Sequence, residues 1–175
     1  MTKLLAIPYH SQLNNHLNPG GACNVTSIAM CLSYLGFNPK RNGQLEDYLY
    51  EVCDREGFDR HSLWGLKALI EYCGFKSDTT EQGTLQQIRT AIDAGQPCIV
   101  HGYFTDFGHI IAIAGYDETG VIVHDPYGEW HDWGYDTDAS GEGLHYSYEL
   151  ISRVCSPESQ DDPRHIWLHR VSKNV

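Results

Sequence analysis

One cysteine stands where a catalytic nucleophile is expected. Cys23 follows a glycine-rich loop at residues 19–22 and directly precedes a segment with helical periodicity. A sulfur atom at a helix start lies at the positive end of the helix dipole, which favours the thiolate, and the free N–H groups of the first turn can bind an oxyanion. The other five cysteines lie among apolar or helical neighbours and are interpreted as buried, reduced thiols: Cys31, Cys53, Cys73, Cys98 and Cys155.

Two further residues suit thiol chemistry. A nucleophilic thiol needs a base, and His109 is the best placed of the ten histidines because it follows Gly108 and opens the most apolar segment of the chain. The base must be held in one tautomer, and Asp125, at the end of the next apolar segment, is placed to do so. Each residue also has an ordinary interpretation, as a surface histidine and as a turn aspartate. The ordered combination of Cys23, His109 and Asp125 predicts nucleophilic catalysis.

The first half of the chain is predicted to be helical. Apolar residues at three- and four-residue spacing predict an amphipathic first helix over residues 24–36, ended by the glycine at its last position. Similar spacing predicts helices around 45–52 and from about 62 to 72. A fourth helix opens with a capping box formed by Thr84 and Gln87.

From Cys98 onward the pattern changes to strands. Runs rich in β-branched residues predict strands over 98–103, 109–116 and 121–125. The middle run is apolar on both faces and is expected at the centre of a sheet. The remaining predicted segments are a turn at 117–120 that makes a hairpin, a long ordered loop over 126–146, a short helix near 148–154 and a closing strand over 166–171.

The register of this hairpin decides whether His109 and Asp125 share a face of the sheet. If Ile111 lies opposite Asp125, the imidazole and the carboxylate are diagonal neighbours within reach of each other. A two-residue turn at Glu118-Thr119 would instead place them on opposite faces. Both registers remain open at the level of the sequence.

Several stretches of the chain resemble one family of cysteine peptidases. They are residues 7–15 (IPYHSQLNN), 21–30 (GACNVTSIAM) and 108–117 (GHIIAIAGYD), followed by 124–128 (HDPYG). These stretches, which span most of the chain, are similar to the C39-like family of papain-fold cysteine peptidases. The resemblance implies an α+β, papain-like fold. In that fold an N-terminal helical half contributes the helix that bears the cysteine, which packs on a C-terminal antiparallel sheet.

The resemblance also implies roles for four residues. Cys23, His109 and Asp125 match the catalytic triad of the family, and Gln12 matches the side-chain donor of its oxyanion hole, with the Cys23 N–H as the second donor. Attack of the thiolate on a carbonyl carbon, protonation of the leaving amine by His109 and release by water then hydrolyse an amide or peptide bond. This mechanism needs neither cofactor nor metal ion. The expected partner is a peptide or protein substrate.

Other functions fit the same residues. A peptidoglycan amidase of the papain-like type orders its catalytic residues in the same way. An acyltransferase or transpeptidase would pass the acyl group to an amine instead of water. Outside enzymes, a papain-fold module could bind a peptide without cutting it. The presence of all the required side-chain types favours the cysteine peptidase.

The composition predicts one globular domain over residues 1–175 and disfavours several partners. Twenty-three acidic and twelve basic residues give a net charge of −11, which disfavours binding to nucleic acid and to acidic membranes. No segment is long enough to span a bilayer, and the N-terminal residues lack a secretory signal. We therefore expect a cytoplasmic, reducing location. The composition sets no oligomeric state.

Two patterns that suggest metal binding have simpler interpretations. Residues 136–141 copy the first six positions of a calcium loop, but Ser147 replaces the bidentate glutamate of position twelve, which favours a plain acidic loop. His165 and His169 flank a strand-like segment, so no zinc site is predicted. Aromatic residues near Asp125 either line a substrate cleft or pack in the core: Tyr127, Trp130, Trp133 and Tyr135.

Overall fold

The computed structural model describes residues 1–155 and 165–175. Within these ranges the helices are α1 (Cys23–Tyr34), α2 (Leu45–Glu56), α3 (Leu63–Tyr72), α4 (Leu85–Asp93) and α5 (Tyr148–Cys155). The strands are β1 (Lys3–Leu4), β2 (Phe75–Gly83), β3 (Cys98–Gly102), β4 (His109–Tyr116), β5 (Gly120–His124), β6 (Glu129–His131), β7 (Gly134–Asp136), β8 (Leu144–Ser147) and β9 (Ile166–Lys173). A short 3-10 helix covers Gln12–Asn14.

The helices follow the predicted periodicity. After α1 ends, Gly36 adopts a φ of 93°, a left-handed conformation that favours glycine. The predicted capping box opens α4, where the Gln87 N–H donates to the Thr84 hydroxyl and the Thr84 N–H donates to the Gln87 side chain. The first helix was expected to be amphipathic, but α1 is buried on most sides because it lies between α2 and the sheet. No helix in the described part of the chain has the length and apolar character needed to cross a membrane.

An antiparallel sheet forms the second layer of the fold. Its strands follow the order β2-β9-β3-β4-β5-β8, and β1 pairs with the end of β4. The predicted central strand, β4, lies between β3 and β5 and is buried along all but its last residue. Buried side chains of α1 and β4 belong to one continuous apolar core. The helix that carries Cys23 therefore packs on the strand that begins with His109.

Two strands of the sheet come from the half that was predicted to be helical. β1 pairs with β4, and β2 pairs with β9 at the edge of the sheet. The sequence of β2 is mostly polar and shows no alternation of apolar side chains, so periodicity predicts no strand there. The sheet is therefore built from both halves of the chain and is not purely C-terminal.

The segment 126–146 is ordered, as expected, but it is more than a loop. β6 and β7 pair with each other as a separate two-stranded sheet, and β8 pairs with β5 at the edge of the main sheet. Gly134, with a φ of 128°, opens β7 directly after the exposed Trp133. The segment thus brings its aromatic residues back toward Asp125.

Candidate active site

The start of α1 presents Cys23 to a cleft. Cys23 is the first residue of the helix, is half-buried and lines the cleft. The preceding Ala22 makes no side-chain cap, so no side chain caps the N–H groups of the first turn from that position. Asn24 is buried, and its side-chain amide donates to the Arg60 carbonyl at 3.0 Å. This bond ties the helix start to the loop before α3.

A hydrogen bond between helix and sheet sets Cys23 relative to His109. The Ser27 hydroxyl, one helical turn after Cys23, donates to the carbonyl of Ile110 at 3.1 Å. Ser27 is fully buried, and Ile110 directly follows His109 in β4. Sequence reasoning did not identify Ser27, and the only local signal for it is a hydroxyl one helical turn after Cys23.

The register of β4 and β5 brings His109 and Asp125 onto one face. Ala112 lies opposite His124, so Ile111 lies opposite Asp125, which is the register that allows contact. The connection is nevertheless a two-residue turn, in which the Asp117 N–H donates to the Gly120 carbonyl. The two-residue turn and the favourable register coexist because β4 has a β-bulge at residue 114. The bulge adds one residue to β4 and reverses the alternation of its side chains between the turn and His109.

His109 lies between a carboxylate and a thiol. Its Nε2 is 2.8 Å from Asp125 Oδ1, and Cys23 is the second side chain whose proximity affects the pKa of the imidazole. Both His109 and Asp125 are buried. Burial alone lowers the pKa of the imidazole, but the charges of Asp125 and Cys23 and the hydrogen bond to Asp125 outweigh burial and raise this pKa to about 10. Both neighbours therefore favour the protonated form of the imidazole.

The Asp125 carboxylate accepts four hydrogen bonds. Oδ1 accepts from His109 and from the N–H of Tyr127 at 3.1 Å. Oδ2 accepts from the hydroxyl groups of Tyr135 at 2.8 Å and Tyr146 at 2.9 Å. Sequence reasoning considered Tyr135 only as a cleft or core aromatic and did not identify Tyr146. The residues from 126 to 147 carry no periodic signal that would have joined these hydroxyl groups to Asp125.

The other five cysteines differ from Cys23 in their surroundings. All six cysteines are free thiols. Burial raises the pKa of Cys53 to about 11 and those of Cys73 and Cys98 to about 12, and it raises those of Cys31 and Cys155 as well. These five thiols are therefore protonated at neutral pH.

Gln12 lies in the same cleft as Cys23 and His109. Gln12 is buried. Its backbone N–H donates to the Pro126 carbonyl at 2.9 Å, and its side-chain Nε2 donates to the Pro19 carbonyl at 2.9 Å. Because an amide nitrogen carries two N–H groups, a second one remains for another acceptor. Gln12 Oε1 is buried and has no partner among the described residues.

The cleft has a volume of about 700 Å³ and lies between the start of α1 and the sheet. Its sheet side includes His101, whose Nε2 is 3.1 Å from that of His169, and exposed aromatic side chains. Tyr127 lines the cleft, whereas Trp130 and Tyr135 pack against the core and Trp133 is exposed at the hairpin tip. The exposed aromatic residues that line the cleft are Tyr103, Phe107 and Trp167.

The described residues contain no group of three or more histidine, cysteine or acidic side chains arranged to hold a metal ion. In the acidic loop, the Asp136 carboxylate accepts the N–H groups of Asp138 and Ala139. Gly141, at the end of that loop, accepts the Asp125 N–H at its carbonyl and donates its own N–H to the Tyr9 hydroxyl. The loop thus supports the backbone of Asp125.

A cysteine at the start of a buried helix that packs on an antiparallel sheet is the architecture of the papain-like α+β class. A family model described as the Peptidase_C39 like family matches residues 4–156. Because this match covers most of the sequence, the chain belongs to that family. The family and the fold support a cysteine peptidase.

Solved structures share the fold at low sequence identity. A crystal structure described as a C39-like peptidase from Bacillus anthracis superposes with a TM-score of 0.66 at 16% identity, covering 100% of both chains. A double glycine motif protease from an AMS/PCAT transporter, in complex with the leader peptide, superposes with a TM-score of 0.59 at 15% identity, covering 97% of this chain and 95% of that one. No curated protein sequence matches the chain.

Proposed function

We propose that this protein hydrolyses peptide bonds with Cys23 as nucleophile, His109 as general acid and base, and Asp125 as the residue that orients His109. The observation that carries the proposal is the 2.8 Å hydrogen bond between the buried side chains of His109 and Asp125, with the half-buried Cys23 next to the same imidazole in the cleft. An imidazole held between a carboxylate and a thiol, with its pKa raised, is suited to stabilise a thiolate.

The reaction proceeds through an acyl-enzyme. The Cys23 thiolate attacks the carbonyl carbon, and the tetrahedral oxyanion binds the Cys23 N–H and the second Nε2 proton of Gln12. His109 donates its proton to the leaving amine, the C–N bond breaks and a thioester remains. His109 then takes a proton from water, the hydroxide attacks the thioester, and the acid is released as the thiolate reforms. The cycle consumes only the peptide and one water molecule, so it needs no cofactor.

The proposed substrate is a peptide. The double glycine motif protease that shares this fold was crystallised in complex with the leader peptide, and this likeness supports a peptide in the cleft of the present chain. We propose further that residues 1–175 act as a single domain, which the family match over residues 4–156 supports.

The test compares wild-type protein with Cys23→Ala, and with Cys73→Ala as a control that removes a half-buried cysteine outside the cleft. Each protein is incubated with a library of peptides, and the products are identified by mass spectrometry. We expect cleavage by wild type and Cys73→Ala and none by Cys23→Ala. Cleavage that persists in Cys23→Ala would contradict the proposal.

The same assay separates the competing functions. Adding a free amine such as glycinamide reveals an acyltransferase, because the acyl group then appears on the amine. Cell-wall fragments replace the peptides to reveal an amidase. If no substrate is cleaved but Cys23→Ala binds the same peptides as wild type, the protein is a binding module.

A further inference from the structure

The charge of Asp125 is completely enclosed by protein. None of its surface is exposed, and a buried carboxylate is unfavourable unless hydrogen-bond donors replace the water that it has lost. His109 and the Tyr127 N–H supply two donors to Oδ1. A carboxylate has about four acceptor positions, so Oδ2 needs two more.

Two tyrosines from different strands provide these donors. The Tyr135 hydroxyl, on β7, and the Tyr146 hydroxyl, on β8, lie 2.8 Å and 2.9 Å from Asp125 Oδ2. The Tyr135 ring also meets the imidazole of His109 edge to face, at 5.2 Å between ring centroids. The two hydroxyl groups therefore fix which oxygen of Asp125 faces His109, and the Tyr135 ring limits how the imidazole can turn.

We propose that Tyr135 and Tyr146 are positioning residues, which hold the Asp125 carboxylate in its charged form with Oδ1 turned toward His109. The catalytic consequence rests on the proposed function, but the effect on the Cys23 and His109 pair does not require a substrate. Neither tyrosine is part of the Cys, His, Asp and Gln set that the family resemblance implies.

Both tyrosines remain donors throughout the working pH range. Burial raises the pKa of each phenol, and the nearby charge of Asp125 raises it further. Each hydroxyl group therefore keeps its proton. The titratable groups that face Asp125 and these two tyrosines come from several elements: His109, Cys23, Tyr9, Tyr127, Glu129 and Glu142.

Removing one hydroxyl group should move the acidic limit of Cys23 reactivity. Without a donor on Oδ2, the charged carboxylate is disfavoured and takes up a proton at a higher pH. A neutral Asp125 no longer supports the imidazolium of His109, so Cys23 loses its thiolate character. A loss of packing alone would change stability, or reactivity at every pH, without moving this limit.

The experiment measures the rate of Cys23 alkylation by iodoacetamide from pH 3 to pH 9, with peptide mapping, in wild type, Tyr135→Phe and Tyr146→Phe. Tyr148→Phe is the matched control, because its hydroxyl donates at 2.7 Å to the carbonyl of Asp117 and not to Asp125. Thermal unfolding of each variant is recorded in parallel.

We expect the acidic limb of the alkylation profile to move to higher pH by about one unit in both variants, as the loss of a hydrogen bond to a charged group predicts, and to stay in place in Tyr148→Phe. The Tyr146 hydroxyl also accepts the N–H of Trp130, so Tyr146→Phe removes a second hydrogen bond and could fail to fold. In that case Tyr135→Phe alone tests the inference. Acidic limbs that coincide in wild type and Tyr135→Phe would overturn the inference.

Failure of the positioning role can be distinguished from failure of the proposed peptidase function. A shift in the acidic limb without any peptide hydrolysis by wild type supports the positioning role and refutes the peptidase. A wild-type Cys23 that reacts like an ordinary thiol refutes both, because there is then no ion pair to position.

Discussion

His109 Nε2 and Asp125 Oδ1 lie 2.8 Å apart because β4 contains one residue more than a regular hairpin would have. The two-residue turn that joins β4 to β5 would, if continued without interruption, place the two side chains on opposite faces. The extra residue, Ala114, reverses the alternation between the turn and the site. Its carbonyl accepts the N–H of Leu5, so the N-terminal segment engages the bulge.

The pairing of Cys23 with His109 predicts selective alkylation. At pH 6, iodoacetamide should modify Cys23 and leave the other five thiols unmodified, because burial raises the pKa of each of them. In His109→Ala the rate at Cys23 should fall by about tenfold or more, because the imidazolium that stabilises the thiolate is absent. Peptide mapping of all six cysteines measures both effects. Equal reactivity of Cys23 and Cys73 in wild type would contradict the pairing.

The charge of Asp125 should matter more than its shape. Asp125→Asn keeps the size of the side chain but removes the charge that raises the pKa of His109, so that pKa falls. We expect kcat/KM on a cleaved peptide to drop by about 10²-fold, which is within the range for a general acid–base group. The pH–rate profile provides the check. Wild-type activity and an unchanged alkaline limb would show that Asp125 does not act through His109.

Gln12 should contribute to the rate of the chemical step. Gln12→Ala removes the side-chain N–H proposed for the oxyanion, and a loss of about 10²- to 10³-fold in kcat is expected with KM little changed. Leu13→Ala is the control, since this neighbour in the same 3-10 helix is exposed. Steady-state kinetics of both variants decide the point. A variant that loses only substrate affinity would assign Gln12 to binding.

Gly141 should tolerate no side chain. A Cβ atom at this position would overlap the carbonyl of Asp125 and approach the Tyr9 hydroxyl. Gly141→Ala must therefore displace the backbone of Asp125, and we expect loss of activity together with a cost of about 1–3 kcal/mol in the free energy of unfolding. The exposed neighbour Glu142→Ala is the control. Urea unfolding and peptide cleavage are measured on both, and activity retained in Gly141→Ala would contradict this placement.

The pair formed by the half-buried His101 and the buried His169 should weaken the fold in acid. Burial lowers the pKa of His101 to about 4 and that of His169 to about 3, below the value of about 6.5 in an unfolded chain. The unfolded chain therefore binds more protons between these values, and the stability present above pH 6.5 is lost as the pH falls toward 4 and 3. His169→Gln should flatten this dependence by about 1.4 kcal/mol per pH unit.

Urea unfolding at several pH values between 4 and 7 tests this dependence. Thr84→Ala is the control, because it removes the helix cap of α4 and should lower the free energy of unfolding by about 1 kcal/mol at every pH. If the stability of wild type and that of His169→Gln run parallel from pH 7 to pH 4, His169 is not the source of the acid sensitivity.

Local patterns in the sequence were sufficient for the helices and for the residue types of the site. Apolar spacing and the Thr84 and Gln87 capping box depend only on neighbours within a few residues, which is why α1 to α4 were predictable. The same holds for a cysteine at a helix start and for a histidine and an aspartate at the ends of apolar strands. The edge strand β2 was missed because its polar residues carry no such pattern.

Contacts between residues far apart in the sequence set the register of β4 and supply the hydrogen-bond donors to Asp125. The bulge at Ala114 sets the faces of β4, and its carbonyl bonds to Leu5, more than a hundred residues earlier in the chain. The donors to Asp125 Oδ2 come from Tyr135 and Tyr146, in a segment without periodicity. Local sequence patterns were enough to predict Cys23, His109 and Asp125 as candidates, because helix starts and strand ends are local features. Their proximity could not be predicted in this way, because register and burial depend on pairings that no local pattern encodes.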